Sequence, residues 1–261
     1  MNTNHFTKTF SLDIAAYLER INYRGPQAPT AETLRALQRA HLLAVPFENL
    51  SIHNGQRIIL EEEALFDKVI TRRRGGFCYE LNGLFAALLR ALGFEVDMLS
   101  ARVANAAGEF GPDFDHMTLM VRLDQRWLAD VGFGDSFLEP LLIDKREEQV
   151  QDRAFKIVTD SDRLVLWQRE KSYEWKAQYS FTLQPFTFRD FGEMCHYHQT
   201  SAQSHFTQKR VCTRATPQGR ITLSELRLIT TENGERNEEI LPDEQEYARL
   251  LRQHFGIVMT N

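Results

Sequence analysis

The hydrophobic repeat of this chain changes period once, near Gly93. Before Gly93, apolar residues recur every three to four positions, as one face of a helix requires. After it they alternate, as a strand buried on one side requires. Helices first, then strands, then strands with a closing helix indicate an α+β chain with three subregions.

The individual elements follow from the same pattern. Ile14, Tyr17, Leu18 and Ile21 mark a helix over 12–21 with Ser11 as its N-cap. Thr30 caps a second helix that carries Leu34 and Leu37, runs to Leu43 and stops before Pro46. A third spans 61–73 with Leu65, Phe66, Val69 and Ile70 inward, and Glu61-Glu62-Glu63 in its first turn meet the helix dipole. Gly75-Gly76 break the chain. A fourth helix opens near Cys78, carries Leu81, Leu84, Phe85, Leu88 and Leu92, and stops at Gly93. Strands are expected at 96–103, 117–123 and 126–131, with 104–115 as a long polar loop. More follow at 154–159, 163–169 and 175–184, then a short helix or irregular stretch at 186–200. The last segment holds strands at 209–215, 220–224 and 226–231, a hairpin turn at Asn233-Gly234 and a helix over 243–255.

Composition narrows the function classes. With 43% apolar residues, including 18 Phe, 7 Tyr and 3 Trp, the 261 residues can bury a large core. No apolar run approaches the length of a membrane span, and the first ten residues hold no secretory h-region. A net charge of −5 leaves no electrostatic footprint for nucleic acid or an anionic membrane. Three cysteines, Cys78, Cys195 and Cys212, read as free thiols of a reducing cytoplasm. Zinc, P-loop and dinucleotide signatures are absent. Cys195-His196-Tyr197-His198 with His205 matches no strong zinc spacing, so no metal is expected; an aromatic, polar loop near the cleft accounts for it.

Cys78 follows two glycines and opens a helix, whose free N–H groups and positive dipole end favour a thiolate. His116 stands where the polar loop becomes a strand. A hairpin turning at Leu123 returns Asp130 to the level of His116, give or take a residue of register. A Cys–His–Asp set is therefore geometrically plausible, in the chain order of papain-like proteases. That leaves open a cysteine hydrolase or transglutaminase-like enzyme, and a catalytically silent binding module on the same fold. Arg72, Arg73 and Arg74 either meet a phosphorylated ligand or complement a helix C-terminus.

Four blocks carry a specific resemblance. Val45-Pro46-Phe47-Glu48-Asn49-Leu50, Arg74-Gly75-Gly76-Phe77-Cys78-Tyr79-Glu80-Leu81-Asn82, Asp115-His116-Met117 and Asp130-Val131-Gly132-Phe133-Gly134 resemble the signature blocks of the arylamine N-acetyltransferases, in order and near spacing. Ser201-Ala202-Gln203-Ser204-His205-Phe206 resembles a further block. The resemblance implies an N-terminal helical bundle (1–93) carrying the nucleophile, a central β-barrel (94–200) carrying His and Asp, and a C-terminal α/β lid (201–261). It also implies Cys78 as acetyl acceptor, His116 as base and Asp130 as third triad member. By the same resemblance Phe47, Val103, Phe133 and Phe206 line the acceptor cleft. The loop Gly111, Pro112, Asp113, Phe114 and Asp115 lies beside the thioester arm of acetyl-CoA, the donor, with no permanently bound cofactor. The acceptor implied is an aromatic amine, hydrazine or N-hydroxyarylamine. Amide closure on a larger acyl substrate belongs to the same fold by family analogy. Asp115 stands where many members have Thr or Ser, and Ala202 where many have Pro.

Overall fold

The computed structural model describes residues 10–170 and 174–259. Residues 1–9, most of the stretch in which the sequence shows no secretory signal, lie outside the described residues.

The first part of the chain is helical: α1 (Ile14–Arg20), α2 (Ala31–Ala44), α3 (Leu50–His53), α4 (Glu62–Phe66) and α5 (Cys78–Ala91). Asp13, not Ser11, caps α1. Its carboxylate accepts the Ala16 N–H, so the helix starts two residues later than its apolar stripe indicates. Thr30 caps α2 as expected. The helix expected over 61–73 divides: α4 runs into a π-helical turn, Asp67–Thr71, and Arg73 leaves it at φ 53°. Every residue of α5 from Cys78 to Leu89 is buried. A helix apolar on all sides belongs at the centre of a core, and α5 is packed by the other helices and by the sheet that follows.

Strands follow after Gly93: β2 (Glu95–Val103), β3 (His116–Arg122), β4 (Arg126–Ala129), β5 (Leu141–Leu142), β6 (Gln149–Val150), β7 (Ala154–Asp160), β8 (Arg163–Arg169), β9 (Lys176–Phe186), β10 (Val211–Thr216) and β11 (Gly219–Ser224). They are completed by β12 (Arg227–Glu232), β13 (Glu235–Ile240) and the short early strand β1 (Phe47–Glu48). Eight of them form one antiparallel sheet in the order β5-β4-β3-β2-β9-β8-β7-β6 that curls into a nearly closed barrel. Side-chain amides close its seam. Gln149 on β6 bonds both the N–H (2.7 Å) and the C=O (2.9 Å) of Leu142 on β5, standing in for a peptide group. Gln151 does the same for the N–H groups of Leu138 and Glu139 and the Glu139 carbonyl. Edge groups that would otherwise invite another strand are thereby paired.

The second sheet runs β1-β10-β11-β12-β13. Its first strand comes from the helical part of the chain, with Phe47 opposite Thr213 and Glu48 opposite Cys212. On its other side β1 touches the segment before α5: the Glu48 N–H donates to the Gly76 carbonyl at 2.8 Å. This approach explains the glycine pair better than helix breaking does. A Cβ on Gly75 would lie 2.0 Å from the Pro46 carbonyl oxygen. Helix α6 (Gly192–Thr200) turns 186–200 into ordered structure, α7 (His205–Gln208) follows it, and α8 (Glu244–Phe255) packs on the second sheet with Asp243 as N-cap. Among the described residues no helix is long and apolar enough to cross a membrane.

Candidate active site

Cys78 sits at the first position of α5, where the next N–H groups have no partner within the helix. The turn before it is locked by buried charge. Glu80 accepts the Phe77 N–H at 3.1 Å and the Lys68 ammonium at 2.7 Å. Arg74 pairs with Glu48 at 2.9 Å, and Glu48 also accepts the Leu50 N–H. Arg74 is thus committed to the interior. Arg72 pairs with Asp67 beside the turn it follows. Burial pushes the Glu48 carboxyl up, but Lys68 and Arg74 more than offset it.

The β3–β4 hairpin supplies the next two residues. Arg122 faces Arg126 and Leu119 faces Ala129, so the turn centres on Asp124 rather than Leu123. Continuing that register puts Asp130 level with Thr118, two residues from His116. An offset of two keeps both side chains on one face of the sheet. They meet there: His116 Nε2 lies 2.7 Å from Asp130 Oδ2, with both residues buried.

Asp130 accepts from four groups. Tyr179 donates its hydroxyl to Oδ2 at 3.1 Å, while Asn82 Nδ2 and the Gly132 N–H each reach Oδ1 at 2.9 Å. Burial alone would push this carboxyl up. The His116 imidazole and the hydrogen bonds outweigh it, and the group is held below its ordinary value.

Asn82 also joins the two halves of the site. It lies one helical turn after Cys78, donates to the Met117 carbonyl at 2.6 Å and accepts the Val131 N–H at 2.8 Å. Gly132 completes the join. A Cβ there would fall 2.8 Å from Cys78 Cα, so the segment just after β4 rests directly on the first turn of α5. Gly132→Ala is expected to force these apart, at about 1–3 kcal/mol for an overpacked contact. It should also slow reaction at Cys78. Thermal melts alongside thiol-reaction rates check both effects, and an unchanged pair of values would mean the contact is slack.

The electrostatics of Cys78 differ from the expectation of a helix-start thiolate. The thiol is buried, and burial pushes it well up; nearby Cys195, Asp115 and Asp130 add to that, and the Met117 N–H works the other way. A few exposed N–H groups cannot offset that loss of water.

The four residues matched to the acceptor cleft fall into two groups. Phe133 meets the His116 ring edge-on at 5.1 Å and Tyr179 at 5.1 Å, and Val103 lies opposite Tyr179 on β2 and β9. Phe47 lies 6.1 Å from Phe206, which also meets Phe77 at 5.6 Å. Phe47, Phe133 and Phe206 are all half-buried.

The loop matched to the donor is firmly held. The Gly111 N–H bonds the Val103 carbonyl, Pro112 is exposed, and Arg102 grips Asp113. Phe114, at φ 64°, turns its ring into Phe186 and Phe191, and its carbonyl accepts the Tyr79 hydroxyl at 2.6 Å. The segment 195–198 lies on α6, the short helix that was one of the two readings of 186–200, and not in a polar loop. Among the described residues no three His, Cys, Asp or Glu side chains gather as metal ligands.

Sequence reasoning overlooked the supporting residues Asn82, Tyr179 and Gln38, whose Oε1 accepts the Asp130 N–H at 3.0 Å. Asn82 was within reach, standing four residues after Cys78 on the same helix face. Nothing local marks Tyr179 or Gln38.

Comparison with known proteins agrees with this architecture. A family model described as N-acetyltransferase matches residues 30–261. The proansamycin X synthase of Amycolatopsis mediterranei is 32% identical over 92% of this chain and 95% of its own. The arylamine N-acetyltransferase / N-hydroxyarylamine O-acetyltransferase of Salmonella typhimurium is 34% identical over 93% of this chain and 88% of its own. The structure of Mycobacterium marinum arylamine N-acetyltransferase in complex with CoA superposes with a TM-score of 0.87 at 32% identity, over 94% of this chain and 93% of that one. Matches over this much of the chain settle its family: the chain belongs to the arylamine N-acetyltransferase family.

Proposed function

We propose that the protein transfers acetyl from acetyl-CoA to arylamines, arylhydrazines or N-hydroxyarylamines through an acetyl-Cys78 intermediate. The observation that carries this reading is the His116–Asp130 pair joined through Asn82 and Gly132 to the first turn of α5. His116 takes the thiol proton, and the sulfur attacks the thioester carbonyl. The tetrahedral intermediate collapses, the His116 proton passes to the CoA sulfur, and acetyl-Cys78 remains. The acceptor then binds among Phe47, Val103, Phe133 and Phe206. It attacks the acetyl carbonyl, loses its proton to His116 and releases the Cys78 thiol. Asp130, bonded to Nε2, leaves Nδ1 for the reacting groups and stabilises the imidazolium formed in each half. Free N–H groups at the α5 start hold the oxyanion. The loop 111–115 flanks the pantetheine arm of the donor. Three buried free thiols fit a reducing compartment, and we place the enzyme in the cytoplasm.

Proansamycin X synthase as a relative favours a second reading, amide closure on a large acyl group. Cys78 is only 3% exposed, which fits a two-carbon acyl group better. Hydrolysis is the third possibility, and one experiment separates it. Acetyl-enzyme freed of donor should decay slowly in water and slowly with an alkylamine, which is mostly protonated at neutral pH. It should decay much faster with an arylamine, which is neutral and fills the aromatic walls. Phe133→Ala should raise the acceptor KM about tenfold, the value of one buried aromatic contact, and speed hydrolysis. Equal decay in all three would support a hydrolase.

A further inference from the structure

A second histidine–aspartate pair stands beside Cys78, and the steps above leave it unused. Asp115 directly precedes His116, and its side chain is 20% exposed. Its Oδ1 lies 3.1 Å from Nε2 of His198, and its Oδ2 lies 3.4 Å from the Val103 nitrogen. The His198 side chain is 7% exposed; it stacks on Tyr79 and meets Phe206 edge-on at 5.1 Å. Its Nδ1 lies 3.0 Å from Ser204 Oγ, which also accepts the Phe206 N–H. With the Ser204 hydroxyl donating to Nδ1, the ring N–H is at Nε2, facing Asp115. Nε2 nevertheless has no partner in line, so this buried group is not consumed by the fold.

The charge of Asp115 is also less neutralised than that of its neighbour. Asp113 is gripped by Arg102 and lies 3.4 Å from Arg163. Among the described residues, His198 is the side chain within salt-bridge distance of Asp115, and no guanidinium or ammonium reaches it. The field of Asp115 extends to the reacting centre, where it contributes to holding both the Cys78 thiol and the Tyr79 hydroxyl up. Val103 and Phe206, two walls of the proposed acceptor cleft, touch the pair from either side.

We propose that Asp115, paired by distance with His198, sets the charge preference of the acceptor step. The acetyl-enzyme accepts arylamines with a neutral or cationic ring substituent and disfavours those with a carboxylate. The physical basis is one like-charge or unlike-charge contact in a half-exposed cleft, worth about five- to tenfold in rate. The inference rests on the acetyl-Cys78 reading.

The test uses acetyl-enzyme freed of donor and three anilines bearing, at the para position, a carboxylate, a carboxamide or a trimethylammonium group. Each discharge rate is divided by the wild-type rate for the same aniline, which cancels intrinsic nucleophilicity. Asp115→Asn should raise the carboxylate rate about five- to tenfold relative to the carboxamide, and lower the trimethylammonium rate by a similar factor. In the wild type, added salt should lower the ratio of the trimethylammonium rate to the carboxylate rate, a readout that needs no variant. A common factor for all three anilines in Asp115→Asn, or a wild-type ratio unmoved by salt, would overturn the charge preference alone. Failure of the wild type to form any acetyl-enzyme would overturn the transferase reading, and this inference with it.

Discussion

Replacing Cys78 with alanine is expected to abolish acetyl transfer, with a loss on the order of 10⁴-fold or more, as removal of a covalent nucleophile does elsewhere. Cys195 and Cys212 are the controls. Both are free and buried. Burial pushes the Cys195 thiol up to about 12, and its sulfur accepts from Gln199 at 3.2 Å. Cys212 lies in β10 opposite Glu48 and Leu223, where burial also pushes it well up. Neither opens a helix or lies beside the His116–Asp130 pair, and each packs as a small apolar residue. Cys195→Ala and Cys212→Ala should therefore retain turnover within about threefold, with about 1 kcal/mol lost in stability. Cys195 is the sharper control, because it lies close enough to Cys78 to affect its thiol. Steady-state turnover of the three variants checks the assignment; activity surviving Cys78→Ala, or lost only in Cys195→Ala, would reverse it.

The second large effect is expected at Asp130. Asp130→Asn should lower the rate of Cys78 acylation by about 10²–10⁴-fold. All four neighbours of this carboxylate donate to it, two at each oxygen. An amide in its place turns an NH₂ toward two donors whichever way it faces, and it cannot stabilise an imidazolium. The same substitution changes the response to acid. A carboxyl held below its ordinary value of about 3.9 adds stability above that pH, and the contribution is lost as pH falls through the native-state value. Asp130→Asn should remove this part of the acid sensitivity. Circular dichroism establishes whether the variant is folded, and rapid mixing with acetyl-CoA gives the acylation rate. Wild-type acylation in a folded Asp130→Asn chain would contradict the triad.

The long elements were legible because their cause is local. The apolar stripes of α2 and α5 and the alternation through β2 and β3 state which face is buried, and Thr30 and Gly93 mark ends by their own backbone chemistry. The elements that were missed are made by distant partners. Phe47–Glu48 is a strand because β10 and Gly76 offer it hydrogen bonds. Two-residue β5 and β6 are strands because β4 and β7 pair with them, and Gln149 and Gln151 bridge the seam between them. Strand β13, Glu235–Ile240, is exposed and charged along its length, so no hydrophobic pattern announces it.

The site shows the same division. Cys78, His116 and Asp130 were found from their settings at the ends of elements, but not their exact register, which the β3–β4 turn fixes at Asp124. The helix start at Cys78 was legible; its burial was not, because burial depends on Gly132 and the hairpin resting on that turn. Tyr179 and Gln38 reach Asp130 from elements far away in sequence.

One measurement reaches the proposed intermediate directly. The protein is mixed with acetyl-CoA, quenched, and mapped by peptide mass, then the experiment is repeated with an arylamine added before the quench. The expected result is one acetyl group on the peptide containing Cys78, formed as CoA is released and removed by the arylamine as N-acetylarylamine appears. Product formation with no acetyl on Cys78, or with the acetyl on Cys195 or Cys212, would contradict the mechanism.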